Sequence, residues 1–151
     1  MDITTEAVKA LRDETGVSVM ECKKALEAAH GDMEKARAVL RERAAKSVEK
    51  KADRQLGAGA VSSYIHNAGQ VGAMVLLSCE TDFVSKNEAF GALARDVAMH
   101  AAAMRPATAE ELLTQPFIKD ESKTIADLVA DATQKFGERV EVSQLSVFSV
   151  K

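Results

Sequence analysis

Val71-Gly72-Ala73-Met74-Val75-Leu76-Leu77-Ser78-Cys79 runs straight into Glu80-Thr81-Asp82-Phe83-Val84. The first nine residues are too short for a buried helix of ordinary length. They read as a strand apolar enough to be covered on both faces. Beyond them, Ser85-Lys86-Asn87-Glu88 has the Ser-x-x-Glu spacing of a capping box. The helix it opens carries Phe90, Leu93, Ala94, Val97, Ala98, Ala101 and Met104 on one stripe and stops before Pro106. Thr81, Asp82 and Phe83 therefore fall in the joint between two rigid elements, where a side chain can be held out firmly. Phe83 has two readings. As a plug it closes the end of the sheet while Asp82 assists the helix start. As a probe, the ring and its neighbouring carboxylate are aimed at another protein.

Upstream, Ala60 to His66 reads as a strand and Asn67-Ala68-Gly69-Gln70 as a turn, which makes an antiparallel hairpin with Val71–Cys79. Downstream, Thr108-Ala109-Glu110-Glu111 caps a short helix ending near Leu113, and Gln115-Pro116-Phe117 is extended. Ile125, Leu128, Val129, Ala132 and Phe136 form the next helical stripe, with Gly137 as its stop. Val140 to Val150 closes the chain as one or two strands, and the apolar parity changes between Val142 and Leu145, as at a bulge.

Residues 1 to about 45 read as three short helices with apolar stripes. The first holds Ile3, Ala7, Val8 and Leu11, the second Cys22, Ala25, Leu26 and Ala29, and the third Met33, Ala36, Val39 and Leu40. Gly16 ends the first helix, Ser18 begins the second, and Gly31-Asp32 separates the second from the third. From Arg41 to Arg54 the stripe fades into six basic and three acidic residues, the pattern of a solvated extension or linker. The expected architecture is α+β: residues 1–54 a three-helix module with a basic helical linker, and 55–151 a core with a small antiparallel sheet packed by helices.

Composition bounds the function. A chain of 151 residues, 46% hydrophobic and 28% charged, can bury a core without disulfide or metal. A net charge of −3 and the absence of tryptophan argue against general adhesion to nucleic acid or an anionic membrane. Cys22 and Cys79 lie far apart on apolar positions and read as reduced, buried thiols in a cytoplasmic protein. No apolar run approaches the ~20 residues of a membrane span, and no secretion signal is expected. No Walker-type or dinucleotide glycine loop occurs, and no Cys or His spacing suits a metal. A thiol nucleophile assembled from Cys79 with His66 or His100 is the remaining enzymatic reading. The catalogue favours a protein that acts by binding, with no cofactor.

Leu11-Arg12-Asp13-Glu14-Thr15-Gly16, Met20-Glu21-Cys22-Lys23-Lys24-Ala25-Leu26, Gly31-Asp32 and Leu40-Arg41 together resemble the N-terminal module of the elongation factor Ts family. Tyr64-Ile65-His66, Val71-Gly72, Cys79-Glu80-Thr81-Asp82-Phe83-Val84, Ala98-Met99-His100, Gln115-Pro116-Phe117-Ile118-Lys119-Asp120 and Gly137-Glu138 are similar, in order, to its core. The resemblance implies a guanine-nucleotide exchange factor for elongation factor Tu, not an enzyme of covalent chemistry, with a ubiquitin-associated-like three-helix module. It implies that Arg12, Val19 and Met20 touch the partner's G domain. Asp82 and Phe83 are implied to do so too, supported by Thr81 and Val84, with the phenylalanine entering an apolar gap so that the magnesium and phosphate site is disturbed and GDP leaves. An adaptor without exchange activity, built on the Ala25-Leu26, Gly31-Asp32 and Val39-Leu40 pattern, is the alternative.

This sequence departs from the family pattern at three places. Val19 stands where a methionine is frequent, only Ala107 to Thr114 fills the place of a long insertion, and Leu145 to Val150 replaces a basic-aromatic ending. The short core leaves an edge or apolar face expected to be covered by a second copy, so a homodimer is expected.

Overall fold

The computed structural model describes residues 2–151. Helix α1 (Thr5–Thr15) begins where the Thr4 hydroxyl accepts the Ala7 amide, at 3.1 Å. It ends at Gly16, whose φ of 71° is reached at no steric cost only by glycine. A methyl group there would also lie 3.2 Å from the Lys135 side chain, so the module meets the rest of the chain closely at this turn. Ser18 caps α2 (Val19–Ala28) and Asp32 caps α3 (Met33–Lys50) through the Glu21 and Lys35 amides. Leu11, Cys22, Ala25, Leu26 and Ala36 form the solvent-free centre of this module.

The stretch after Leu40 is a helical and mostly exposed extension, but it is anchored on one side. Helix α3 continues unbroken for 18 residues, and Ala44 on its extended part is buried. The reason is tertiary: α3 packs along α7 (Ile125–Phe136), and a methyl is all that a close helix–helix contact needs there.

The core is built on three antiparallel strands in the order β1 (Ala58–His66), β2 (Val71–Cys79), β5 (Glu141–Ser149). The hairpin turn takes positive φ at Asn67, Ala68 and Gly69. β5 is one strand, and its pairing with β2 slips between Leu76 and Leu77, leaving Ser143 as the extra residue of a bulge. This explains the parity change in the sequence.

Ala73, Val75, Leu77 and Cys79 point from β2 into the core, where α5 (Glu88–Met104) lies on β1 and β2. The Phe90 and Phe136 rings meet edge to face at 6.0 Å and join α5 to α7. The layers thus run sheet, α5, α7, α3. The opposite face of the sheet is bare, contrary to the expectation of cover on both sides. Val61, Ile65, Met74 and Phe148 are exposed there, and Leu76 is half-buried. A continuous apolar run looks two-sided in sequence, but no second layer exists among the described residues.

Helix α6 (Ala109–Thr114) starts from Thr108 as expected, although Glu111 reaches the Ala107 amide and not that of Thr108. Pro116–Phe117 (β3) pairs with Asp120–Thr124 (β4) in a small hairpin that the polar run Asp120-Glu121-Ser122-Lys123-Thr124 did not announce. It leads into α7 through a reciprocal Thr124–Asp127 capping box.

Buried His100 fastens this region to α5. Its Nδ1 accepts the Ile118 amide at 3.2 Å, so its Nε2–H donates to Gln115 Oε1 at 2.9 Å. Burial pushes the imidazole below its usual range, partly opposed by the bond to Gln115. The unfolded chain therefore holds this proton more tightly than the folded one. The stability contributed by neutral His100 is present above about pH 6.5 and is lost as pH falls through the folded-state value. The melting temperature should drop between pH 7 and 5, and His100→Gln should flatten that dependence; an equally steep profile in the variant would contradict this role.

Candidate partner-binding site

The expected helix start at Ser85 is corrected by the structure. Thr81 is itself an N-cap, opening the four-residue helix α4 (Asp82–Ser85), and Asn87 caps α5 separately. Ser85 instead donates its hydroxyl to the Asp82 carbonyl at 3.1 Å. Ser85 is already inside α4, so it has no free position from which to cap the next helix, and the Asn87 side chain takes that role by accepting the Ala89 amide at 2.8 Å.

This single turn decides the fate of Phe83. Val84 faces inward and is buried in the core, whereas Phe83, one residue earlier, turns out to solvent and is 89% exposed. Asp82 and Thr81 beside it are also exposed. The ring is therefore not a plug for the sheet. A phenylalanine held almost wholly in water gives up roughly 1.5–3 kcal/mol of available burial, a cost that a free fold has no reason to carry.

The base of the tip is fixed from outside. The Cys79 thiol donates to the Thr81 carbonyl at 3.3 Å. The Glu138 carboxylate accepts the Glu80 and Thr81 amides at 3.1 and 3.0 Å and the Thr81 hydroxyl at 2.7 Å. Glu80 in turn accepts the Arg139 amide at 2.6 Å and pairs with Arg54 at 3.5 Å. Arg139 completes the ring by donating to the Arg54 carbonyl at 2.8 Å and pairing with Glu141 at 3.0 Å. The sequence marks Cys79, Glu80, Thr81 and Glu138 within separate motifs and Arg54 within the basic stretch, but gives no local signal that they meet, and none for Arg139 or Glu141.

A second exposed group lies on the helical module. Val19 and Met20 are 52% and 65% exposed at the start of α2, and Arg12 is exposed on α1. No hydrogen bond or ion pair among the described residues links this group to the Phe83 tip. The two are tied only through the scaffold: α2 packs on α3, α3 packs on α7, and the chain just past α7 carries Glu138. By contrast Ala25, Leu26 and Leu40, on which the adaptor reading leaned, are consumed by the module's own core.

Neither cysteine is arranged as a nucleophile. Both are free and buried, and burial pushes both thiols up, with the Glu138 carboxylate adding to the effect at Cys79. The ring nitrogens of His100 are occupied by Gln115 and Ile118, and His66 Nδ1 lies 3.2 Å from the Tyr64 hydroxyl. No cluster of three or more His, Cys, Asp or Glu able to hold a metal occurs among the described residues.

Comparison with known proteins places this tip in a family. The family model Elongation factor TS matches residues 80–151, starting at the tip itself. Elongation factor Ts of Leptospira biflexa is 36% identical over 195 aligned positions, covering 99% of this chain and 98% of the relative. The chain belongs to the elongation factor Ts family.

Elongation factor Ts of Clostridium botulinum is 43% identical over 148 residues, 98% of this chain but 48% of the relative. The chain thus spans about half the length of that relative. The aligned length with the Leptospira elongation factor Ts also exceeds this chain's 151 residues, so that relative carries additional segments within the match. A second family model, linker histone H1 and H5 family, matches residues 1–65. Cations in that region are interleaved with carboxylates: Arg37 pairs with Glu14 and Glu34, Arg43 with Glu21, and Lys46 with Glu42. Such mixing differs from the basic stripe that polyanion binding uses. No helix among the described residues is long and apolar enough to cross a membrane.

Proposed function

We propose that this protein is a guanine-nucleotide exchange factor that binds elongation factor Tu in the cytoplasm and promotes GDP release. The observation that carries the proposal is Phe83, 89% exposed on a turn whose base is hydrogen-bonded on several sides. An exposed ring on a fixed mount is suited to enter an apolar gap in a partner, and burying it contributes roughly 1.5–3 kcal/mol to whichever partner state offers the gap. GDP is held largely through its phosphates and magnesium, so displacing their ligands by about 1 Å removes much of its affinity. Coupling is reciprocal: the factor that weakens GDP is itself weakened by it, and rebinding nucleotide ejects the factor. Arg12, Val19 and Met20, on the ubiquitin-associated-like module, would hold the same partner at a second point. No cofactor, nucleic acid or membrane enters this scheme.

The test is direct. Elongation factor Tu loaded with a fluorescent GDP should release it faster as this protein is added, in a saturable way. Release at the spontaneous rate in the presence of tens of micromolar protein would show that the reading is wrong.

We further propose that the bare sheet face pairs with a second copy. Between Glu141 and Phe148 its outward positions carry no charge, so a twofold axis would not set like charges against each other. Val61, Ile65, Met74 and Phe148 offer roughly 500 Å² of apolar area per copy, and two copies together reach the ~1,000 Å² at which specific pairing begins. That area suits micromolar association, not an obligate dimer. The longer Clostridium relative has as much chain again with which to cover such a face.

A further inference from the structure

We propose that Glu138 is a positioning residue for exchange, a clamp that fixes the angle at which Phe83 leaves the core; this rests on the reading of Phe83 as the exchange wedge. The β2–β5 ladder ends at Ser78 opposite Glu141 and β2 itself ends at Cys79, so the amides of Glu80 and Thr81 lie past the strand and have no strand partner. Glu138 replaces the missing rungs with its side chain. One carboxylate oxygen takes both amides and the other takes the Thr81 hydroxyl. Hydrogen bonds to an ionised acceptor are about twice as strong as neutral ones.

The tip depends on this help. Helix α4 has four residues, far below the length at which a helix holds itself together. Its own cap is weak, since the Thr81 oxygen lies 3.5 Å from the Val84 amide against 2.7 Å from Glu138. Gly137, with φ of 68°, turns the chain at the end of α7 so that Glu138 and Arg139 both face the tip. Arg139 then returns an amide to Glu80 and binds the Arg54 carbonyl, so the same pair of residues anchors the linker from the helical module. A wedge on a loose mount would lose on binding what it gains in burial, because its ordering would be charged to the encounter.

The experiment combines amide hydrogen exchange of the free protein with release of fluorescent GDP from elongation factor Tu, for Glu138→Ala, Glu138→Gln, Phe83→Ala and the Glu138→Ala/Phe83→Ala double variant. In Glu138→Ala the Glu80 and Thr81 amides should exchange at least ~10-fold faster while the β2 amides stay protected, and kcat/KM for release should fall about 10-fold. Glu138→Gln should fall between wild type and Glu138→Ala in both readouts, since its amide oxygen can still take the two N–H groups but the charge and the acceptor for the Thr81 hydroxyl are lost. Adding Glu138→Ala to Phe83→Ala should change little further, because the side chain being aimed is already gone. Wild-type release by Glu138→Ala beside a slow Phe83→Ala, losses that multiply in the double variant, or deprotection of β2 along with the tip would each overturn the clamp and leave the wedge standing. Wild-type release by Phe83→Ala would overturn the wedge, and with it the part of Glu138 in exchange.

Discussion

Phe83→Ala should slow GDP release from elongation factor Tu by about 10- to 100-fold while leaving the melting temperature of the free protein almost unchanged. The rate loss corresponds to ~1.4–2.7 kcal/mol of differential binding, the range expected when one well-placed aromatic anchor is removed from an interface. The unchanged stability follows from the structure. A ring 89% exposed makes few contacts in the free fold, and Val84 supplies the apolar anchor of that turn instead. Truncating a buried phenylalanine would cost roughly 3–5 kcal/mol. A thermal melt and a stopped-flow trace on one variant therefore read two different physical roles. A variant that melts much earlier, with release reduced only in proportion to the unfolded fraction, would sink the wedge.

The second large effect concerns the sheet. Phe148→Glu should weaken self-association by at least ~100-fold, with little change in melting temperature because Phe148 is 74% exposed. In a twofold pair the new carboxylate would be desolvated against apolar side chains of the other copy, which costs several kcal/mol without a partner for the charge. Sedimentation over 1–100 µM should show the wild-type chain passing from monomer to dimer and the variant remaining a monomer. Exchange per chain should survive, since Phe83 lies past the end of β2 and not on this face. A wild-type chain that stays monomeric at tens of micromolar removes the proposal.

The elements themselves were legible in the sequence because their causes are local. Stripes at spacings of three and four, Ser18, Asp32 and Thr108 as caps, Gly16 and Gly137 as stops, and the Asn67–Gln70 turn all act within one or two turns of chain. The Thr81-Asp82-Phe83-Val84 stretch could likewise be located as a joint, but whether its ring was plug or probe was undecided by any local period. One turn of helix, with Val84 inside and Phe83 outside, settled that the ring faces solvent.

What only the tertiary structure decided has a common physical form. Glu138 meets Thr81 across 57 positions, and Arg139 meets the Arg54 carbonyl across 85. Side-chain bonds to distant backbone have no period and leave no mark on either partner's neighbours. Ala44 is buried only because α7 lies against it, and the polar β4 strand exists only because Pro116–Phe117 is there to pair. The bare sheet face is the same case in reverse. Val71 to Cys79 by itself specifies an apolar strand, but how many layers cover it depends on where every other segment has gone, and here they all lie on one side.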